Sequence, residues 1–593
     1  MESFVAKDRI DILRHWMEEK GLDAFIIPSS DPHMSEYVAP RWKTRAWFSG
    51  FTGSAGTLAV TMDKAGLWTD SRYFLQAEAQ LAGSGIELMK MGFPDTPDCV
   101  KWVVDELSGH GKAGFSGELF SVNEAESMIR AFSASGLDTD MTSDPACLME
   151  NRPSVPLDKV ELYDVKYSGE NTFDKLERVR QAMMAAGTNA LLLCALDEIA
   201  WVCNLRGTDV KCNPVFVSFM LLTEQHAVLF VEEEKLDAGV REYLDANGIG
   251  VCGYGKVYEE LSRLKGLTVA IDPDKTNYNI LQSLAGCEVK RVKSFVATMK
   301  AVRNDTEKAG LHEAMKRDGV ALVRFLKWLE ENVASCKVTE VSAAEQLHKF
   351  RAMGGDMFRG DSFDTIAGYA DHAAIVHYCA KEDTAYTLRP EGMLLLDSGA
   401  QYLDGTTDVT RTIALGNVSE AEKLDYTLVL KGHIALARAK FPEGTRGTQL
   451  DVLARMPMWK RGANFYHGTG HGVGHYLCVH EGPQAIRMNE VPVALLPGMV
   501  VSDEPGIYRA GRHGVRIENL LLVEHDQTTE YGEFYGFETV TLCPYDTECM
   551  ITSLLTDDER GWINSYHERL YELLSPMLAP EEAAWLRRKT ERI

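Results

Sequence analysis

Apolar residues recur at helical spacing in DRIDILRHWMEEKGLDAFIIPSSD, from Asp8. A glycine near the helix end then leads into a short apolar strand that closes on Asp. The same order returns in DKLERVRQAMMAAGTNALLLCALD, from Asp174. Further on, TLAVTMDKAGLWTDSRYFLQAEA and SFMLLTEQHAVLFVEEEKLDAGV match again as strand, turn, strand, helix. This duplication predicts two similar α/β domains, with the proline-bearing NRPSVPLDK (151–159) as the linker between them. From Asp305 a long amphipathic helix opens a third region. There, helices alternate with the strand-and-turn segments MLLLDSGAQYLDGTTDVTRTIAL and MVVSDEPGIYRAGRHGVRIENLLLV, and EEAAWLRRKTERI closes the chain as a terminal helix. The expected division is 1–155, 156–302 and 303–593.

Composition narrows the functional classes. A chain of 593 residues exceeds one hydrophobic core. A net charge of −25 argues against a nucleic-acid partner, which needs a basic face. The 12 cysteines form no CxxC pair and read as free thiols of a reducing compartment, hence a cytoplasmic protein. No apolar run reaches membrane-spanning length; NALLLCALDEIAWVCNL is broken by Asp197 and Glu198.

The candidate chemistry lies in HGTGHGVGHYLCVHEGP, residues 467–483. His467 and His471 have the spacing of a helical zinc site. Gly468, Gly470, Gly472 and Gly474 oppose a helix, so the segment is expected to be extended, with His467, Thr469, His471, Val473 and His475 on one face. Glycines on the other face admit a close backbone or ligand. Cys478 stands alone, so further ligands must come from elsewhere. Asp397 ends one apolar strand and Asp408 lies across the turn LDGTT, so a hairpin should join them. Glu504 follows another apolar strand, and Glu518 shares a strand face with Arg516. Each acid alone is readable as a cap or ion-pair partner. Four of them with a histidine make a better metal set, and oxygen-rich ligation with one imidazole suits Mn or Zn more than a structural zinc.

DGTTDVTRT, HGTGHGVG, HEGP, DEPG and RIEN together resemble the metal-binding motifs of the pita-bread metallopeptidases. Upstream, IIPSSDPHMSEYVAPRWKTRAWFSGFTGSAGT, WTDSRYFLQA and LDEIAWVCNLRGTDVKCNPVF resemble the creatinase-like domains of the three-domain cytosolic aminopeptidase P family. The resemblance spans essentially the whole chain. It implies two creatinase-like α/β domains ahead of a pita-bread domain, an α/β (α+β) fold, and removal of one residue ahead of a penultimate proline. It implies two divalent ions, with Mn2+ expected and Zn2+ or Co2+ as alternatives, held by Asp397, Asp408, His471, Glu504 and Glu518. Asp408 and Glu518 would bridge the ions, Asp397 would hold one, and His471 with Glu504 the other. His377, His467 and His480 would serve the substrate, Glu504 would act as general base and acid, and Tyr508 and Arg516 would lie near the substrate. His475 carries no family role, and a homodimer is implied. TIAGYADHAAIVHY departs from the family pattern at Asp371-His372, close to His377, which leaves the preferred first residue open. The rival readings are an Xaa-Pro dipeptidase with the same ligands, a non-catalytic binding protein of this fold, and a thiol hydrolase using Cys379 beside His377.

Overall fold

The computed structural model describes residues 2–593, with side chains from residue 5 onward. It divides into two compact units: the residues up to Val165 with Glu170–Val296, and Lys166–Gly169 with Ala297–Ile593.

The N-terminal unit contains the predicted duplication. Its first sheet comprises β1 (Ala24–Pro28), β2 (Thr57–Thr61), β3 (Ala65–Thr69), β4 (Glu87–Lys90), β5 (Lys112–Phe115) and β6 (Asp138–Asp140), in the order β4-β3-β2-β1-β5-β6. Its second comprises β7 (Ala190–Leu193), β8 (Phe219–Thr223), β9 (Ala227–Phe230), β10 (Ile249–Cys252), β11 (Thr268–Ile271) and β12 (Glu288–Arg291), in the order β10-β9-β8-β7-β11-β12. The two orders are identical. In each sheet the central strand pairs antiparallel on one side and parallel on the other. β1 and β7 are buried along their whole length, as strands covered on both faces must be, and both read as continuous apolar runs. Residues 151–160 carry no regular strand or helix. Lys166–Gly169 groups with the C-terminal unit. The Asn304 side chain donates to the Ser168 carbonyl at 2.8 Å, tying this segment to the start of the long helix.

In the C-terminal unit, helix Asp305–Asn332 starts at the Asn304 cap, reinforced by Glu307 in a capping box. Leu322, Phe325, Leu326 and Leu329 of its apolar face enter the main core. β13 (Ile366–Tyr369), β14 (Met393–Ser398) and β15 (Val409–Ala414) form an antiparallel sheet with β14 in the middle. β16 (Val500–Asp503) pairs with β18 (Asn519–Thr529), and β17 (His513–Arg516) runs just before β18. Helices Glu420–Ala437 and Gly447–Trp459 pack on one another behind these strands. The expected terminal helix is present as Pro580–Lys589. Among the described residues, no helix is long and apolar enough to cross a membrane.

Candidate metal centre

β14 and β15 bring the first two carboxylates together. Asp397 stands opposite Thr410, and Asp408 immediately precedes β15. The chain between them is more than a turn; it returns as a short strand pair, Ala400–Tyr402 with Gly405–Thr406. Glu518 occupies the gap between β17 and β18. Its amide donates to the Thr410 carbonyl at 3.0 Å, and its carboxylate accepts from the Thr410 hydroxyl at 2.8 Å. Arg516 donates to Asp397 Oδ2 at 2.6 Å. Glu504 follows β16, and its amide donates to the Thr469 carbonyl at 2.8 Å.

That last bond joins the acids to the glycine-rich run. The expected extended segment through His475 is not formed; only Gly470–His471 is a strand, paired with Ala485–Ile486. Thr469 is buried and donates to Asp451 Oδ1 at 2.6 Å. His475 is also buried, with Nε2 3.1 Å from the Tyr167 carbonyl, away from the role of a ligand. The physical reason is the close backbone approach that glycine permits. A Cβ on Gly470 would lie 1.9 Å from the Ser502 carbonyl oxygen, and one on Gly472 2.0 Å from that of Glu481. The run therefore folds back on its neighbours rather than extending. Arg455, paired with Asp451 on the helix below, donates to the Phe465 and His467 carbonyls at 2.5 and 3.0 Å and fixes its start.

The electrostatics at His471 point to a cation. Its Nδ1 is 2.9 Å from the Gly472 carbonyl, which assigns the ring proton to Nδ1. The Nε2 lone pair then faces Glu504 Oε1 at 3.4 Å and Asp408 Oδ2 at 3.5 Å. Three ligand-type atoms, one nitrogen and two carboxylate oxygens, converge here. Asp408, His471 and Glu518 each offer a ligand atom within 4.8 Å of the others. Asp397 Oδ1 is buried without a hydrogen-bond partner. Burial, and then the charge of the neighbouring acids, pushes the Asp408 and Glu518 carboxyls well above the usual range. Burial also lifts Glu504 to about 7 against the pull of Arg516. Hard oxygen donors with one imidazole, whose second nitrogen is pinned to a backbone carbonyl, fit a divalent cation.

The other histidines surround this cluster. The His480 ring lies 4.3 Å from that of His471, and His377 lies 6.5 Å from His480. His467 belongs to a separate chain. Arg516 donates to the Tyr508 hydroxyl at 2.9 Å, and that hydroxyl is 2.7 Å from His467 Nε2. Nδ1 of His467 meets the Gly468 carbonyl at 2.7 Å. Burial holds the Tyr508 phenol protonated, at about 12, so it is the donor to His467. All ten sequence-selected residues thus fall in one region. Sequence reasoning missed the supports beneath it: the Asp451–Arg455 pair, and the buried Lys300–Glu481 pair with a 2.5 Å contact. The i,i+4 spacing of Asp451 and Arg455 was a readable signal. Lys300 offered only its position inside the apolar stretch FVATMKAV.

Comparison with known proteins identifies the chain. Residues 309–525 match Metallopeptidase family M24, and 533–593 the C-terminal region of peptidase_M24. Residues 9–143 and 151–307 each match a Creatinase/Prolidase N-terminal domain. "Aminopeptidase P2" of Arabidopsis thaliana is 40% identical, over 97% of this chain and 86% of that protein. "Probable Xaa-Pro aminopeptidase P" of Neurospora crassa is 40% identical over 98% and 88%. The crystal structure of X-prolyl aminopeptidase from Caenorhabditis elegans, described as a cytosolic enzyme with a di-nuclear active site, superposes with a TM-score of 0.93 at 36% identity, covering 96% of this chain and 95% of that one. The Xaa-Pro dipeptidase of Bacillus anthracis (25% identity, TM-score 0.51) covers 63% of this chain and 99% of its own. Full-length agreement with the first three, in sequence and in fold, places the chain in the Xaa-Pro aminopeptidase P family of the M24 metallopeptidases.

Proposed function

We propose that the protein is an Xaa-Pro aminopeptidase that hydrolyses the first bond of peptides with proline in second place, using two divalent cations. The observation that carries this is the convergence of Asp408, Glu504 and His471 Nε2, with Glu518 within ligand reach of Asp408 and His471. Asp397, Asp408, His471, Glu504 and Glu518 would hold the ions. Mn2+ is the proposed metal. When bound, the two cations supply Lewis acidity, which polarises a carbonyl and lowers the pKa of water. The chain's own groups do the rest. Glu504, beside His471, accepts the proton released by the attacking water and passes it to the leaving nitrogen. His480 and His377 line the approach to the cluster and offer ring donors to the scissile carbonyl. The Arg516–Tyr508–His467 chain orders the opposite wall and fixes the proton positions on Tyr508 and His467.

The sequence divisions near 155 and 302, a homodimer and a cytoplasmic setting complete the proposal. The full-length agreement with aminopeptidase P relatives, against 63% coverage by the dipeptidase, favours an aminopeptidase over an Xaa-Pro dipeptidase. The test is a peptide panel on metal-depleted protein reloaded with Mn, Zn or Co. Release of the first residue from Xaa-Pro-Pro, restored by metal, supports the reading. Cleavage of Xaa-Pro dipeptides alone, or activity indifferent to metal removal, would refute it.

A further inference from the structure

The segment between β13 and β14 carries His377, and its far side closes on a second buried carboxylate. Glu340 opens helix Glu340–Ala352 and is fully buried. Its Oε1 accepts the Tyr369 amide at 2.7 Å; its Oε2 accepts the Tyr386 amide at 2.8 Å and the Tyr378 hydroxyl at 2.9 Å. His372 Nδ1 lies 3.0 Å from both oxygens. A carboxylate only accepts, so that nitrogen carries the proton. The His372 ring is stacked 3.7 Å from Tyr386, nearly parallel, and 4.5 Å from Tyr378.

These donors flank His377 in the chain. Tyr369 and His372 precede it, and Tyr378 and Tyr386 follow it, so one carboxylate ties the segment at both ends. The opposite side is gripped as well. Arg516 reaches the Val376 carbonyl at 3.4 Å, and a Cβ on Gly514 would lie 1.8 Å from the Ala373 carbonyl oxygen. Ala370 sits at φ 54°, a left-handed conformation that a non-glycine residue keeps only when its surroundings over-determine it. The Asp371-His372 step therefore belongs to this clasp. With Nδ1 engaged and tyrosines stacked on it, the His372 ring is committed to the clasp rather than to substrate.

We propose that His372, through Glu340, is a positioning residue for His377: the clasp sets where the His377 ring stands relative to His480. This rests on the reading that His377 serves the substrate. The test compares kcat and KM on an Xaa-Pro peptide for the parent, His372→Ala, His377→Ala and the double variant, with metal content and melting temperature measured for each. His372→Ala should lower kcat by about ten- to a hundredfold, the scale of a displaced catalytic group, with metal content retained. In the His377→Ala background the same change should cost under about twofold, because residues acting as one unit are non-additive. His372→Asn, which keeps a side-chain N–H for Glu340, should recover most of the loss. Tyr378→Phe, which removes one donor and keeps the ring, covers the case in which His372→Ala fails to fold. Equal losses in both backgrounds, or full activity in His372→Ala and Tyr378→Phe, would overturn the proposal. Parental activity in His377→Ala would instead remove the role given to His377. A crystal structure of His372→Ala then decides: a displaced His377 ring upholds the positioning role, and an unmoved ring overturns it.

Discussion

Two groups of buried carboxylates in the C-terminal unit have opposite accounts. Glu340 is surrounded by donors: two backbone amides, one phenol and one imidazole N–H. At the metal centre, four carboxyl groups face one guanidinium, Asp397 Oδ1 has no partner, and His471 presents a lone pair to two more acceptors. Both sites are buried, so burial alone does not separate them. Satisfaction does. A carboxylate whose lone pairs are all used holds structure in place, whereas acids that crowd one another with too few donors make a place for a cation.

The hardest blow to this comparison would come from Asp408→Ala. It should abolish tight metal binding and reduce turnover by orders of magnitude, read as metal per chain and kcat; a fully loaded, active variant would dissolve the proposed centre. His467→Ala should keep its metal, because its ring is committed to Tyr508 and Gly468. Its kcat should fall about ten- to a hundredfold, the scale of a disordered wall that misplaces the substrate. Metal loss in that variant would move His467 into the ligand set.

The two groups also differ in the sign of a neutralising change. Glu340→Gln leaves buried donors short of an acceptor and should destabilise the protein by about 3–5 kcal/mol, with or without metal. Glu518→Gln removes one like charge from the crowded cluster, so metal-depleted protein should melt higher than its parent while metal-loaded protein melts lower. Thermal unfolding in chelator and in Mn2+ reads both signs, and parallel shifts for the two variants would erase the distinction.

A smaller effect extends the same rule to a base. His567 is buried, and its Nε2 accepts the Tyr545 amide at 3.1 Å. Burial, helped by Arg411, lowers its pKa to about 4. In the unfolded chain it titrates near 6.5. Between these values the unfolded state binds more protons, so stability falls as pH drops from about 6.5 to about 4, by at most about 3 kcal/mol. His567→Gln should flatten that part of the profile in denaturant unfolding. An unchanged slope would assign the acid sensitivity to other groups.

Much of this was legible because period and spacing are local. The N-terminal duplication showed as two matching helix–glycine–strand patterns, and both sheets share one strand order. The acids stood out because a charge directly after a buried strand is costly without a partner. The path of the glycine-rich run was misread. Alternation predicts an extended strand, but its course depends on how near Ser502 and Glu481 come to its glycines, and those residues lie outside the run.

By itself, the sequence determined the helix and strand periods, the repeat and the long capped helix, and it offered candidate acids and a histidine for a metal. All of these follow from side-chain chemistry at short separation. Only the tertiary structure decided which nitrogen of His471 faces the acids, that Asp397 keeps an orphan oxygen beside Arg516, that His475 turns away, and that Glu340 gathers its donors around the segment bearing His377. Each of these depends on which acceptors and donors are brought within about 3 Å, and hydrogen-bond geometry at that range is set by packing between distant segments, not by any pattern along the chain.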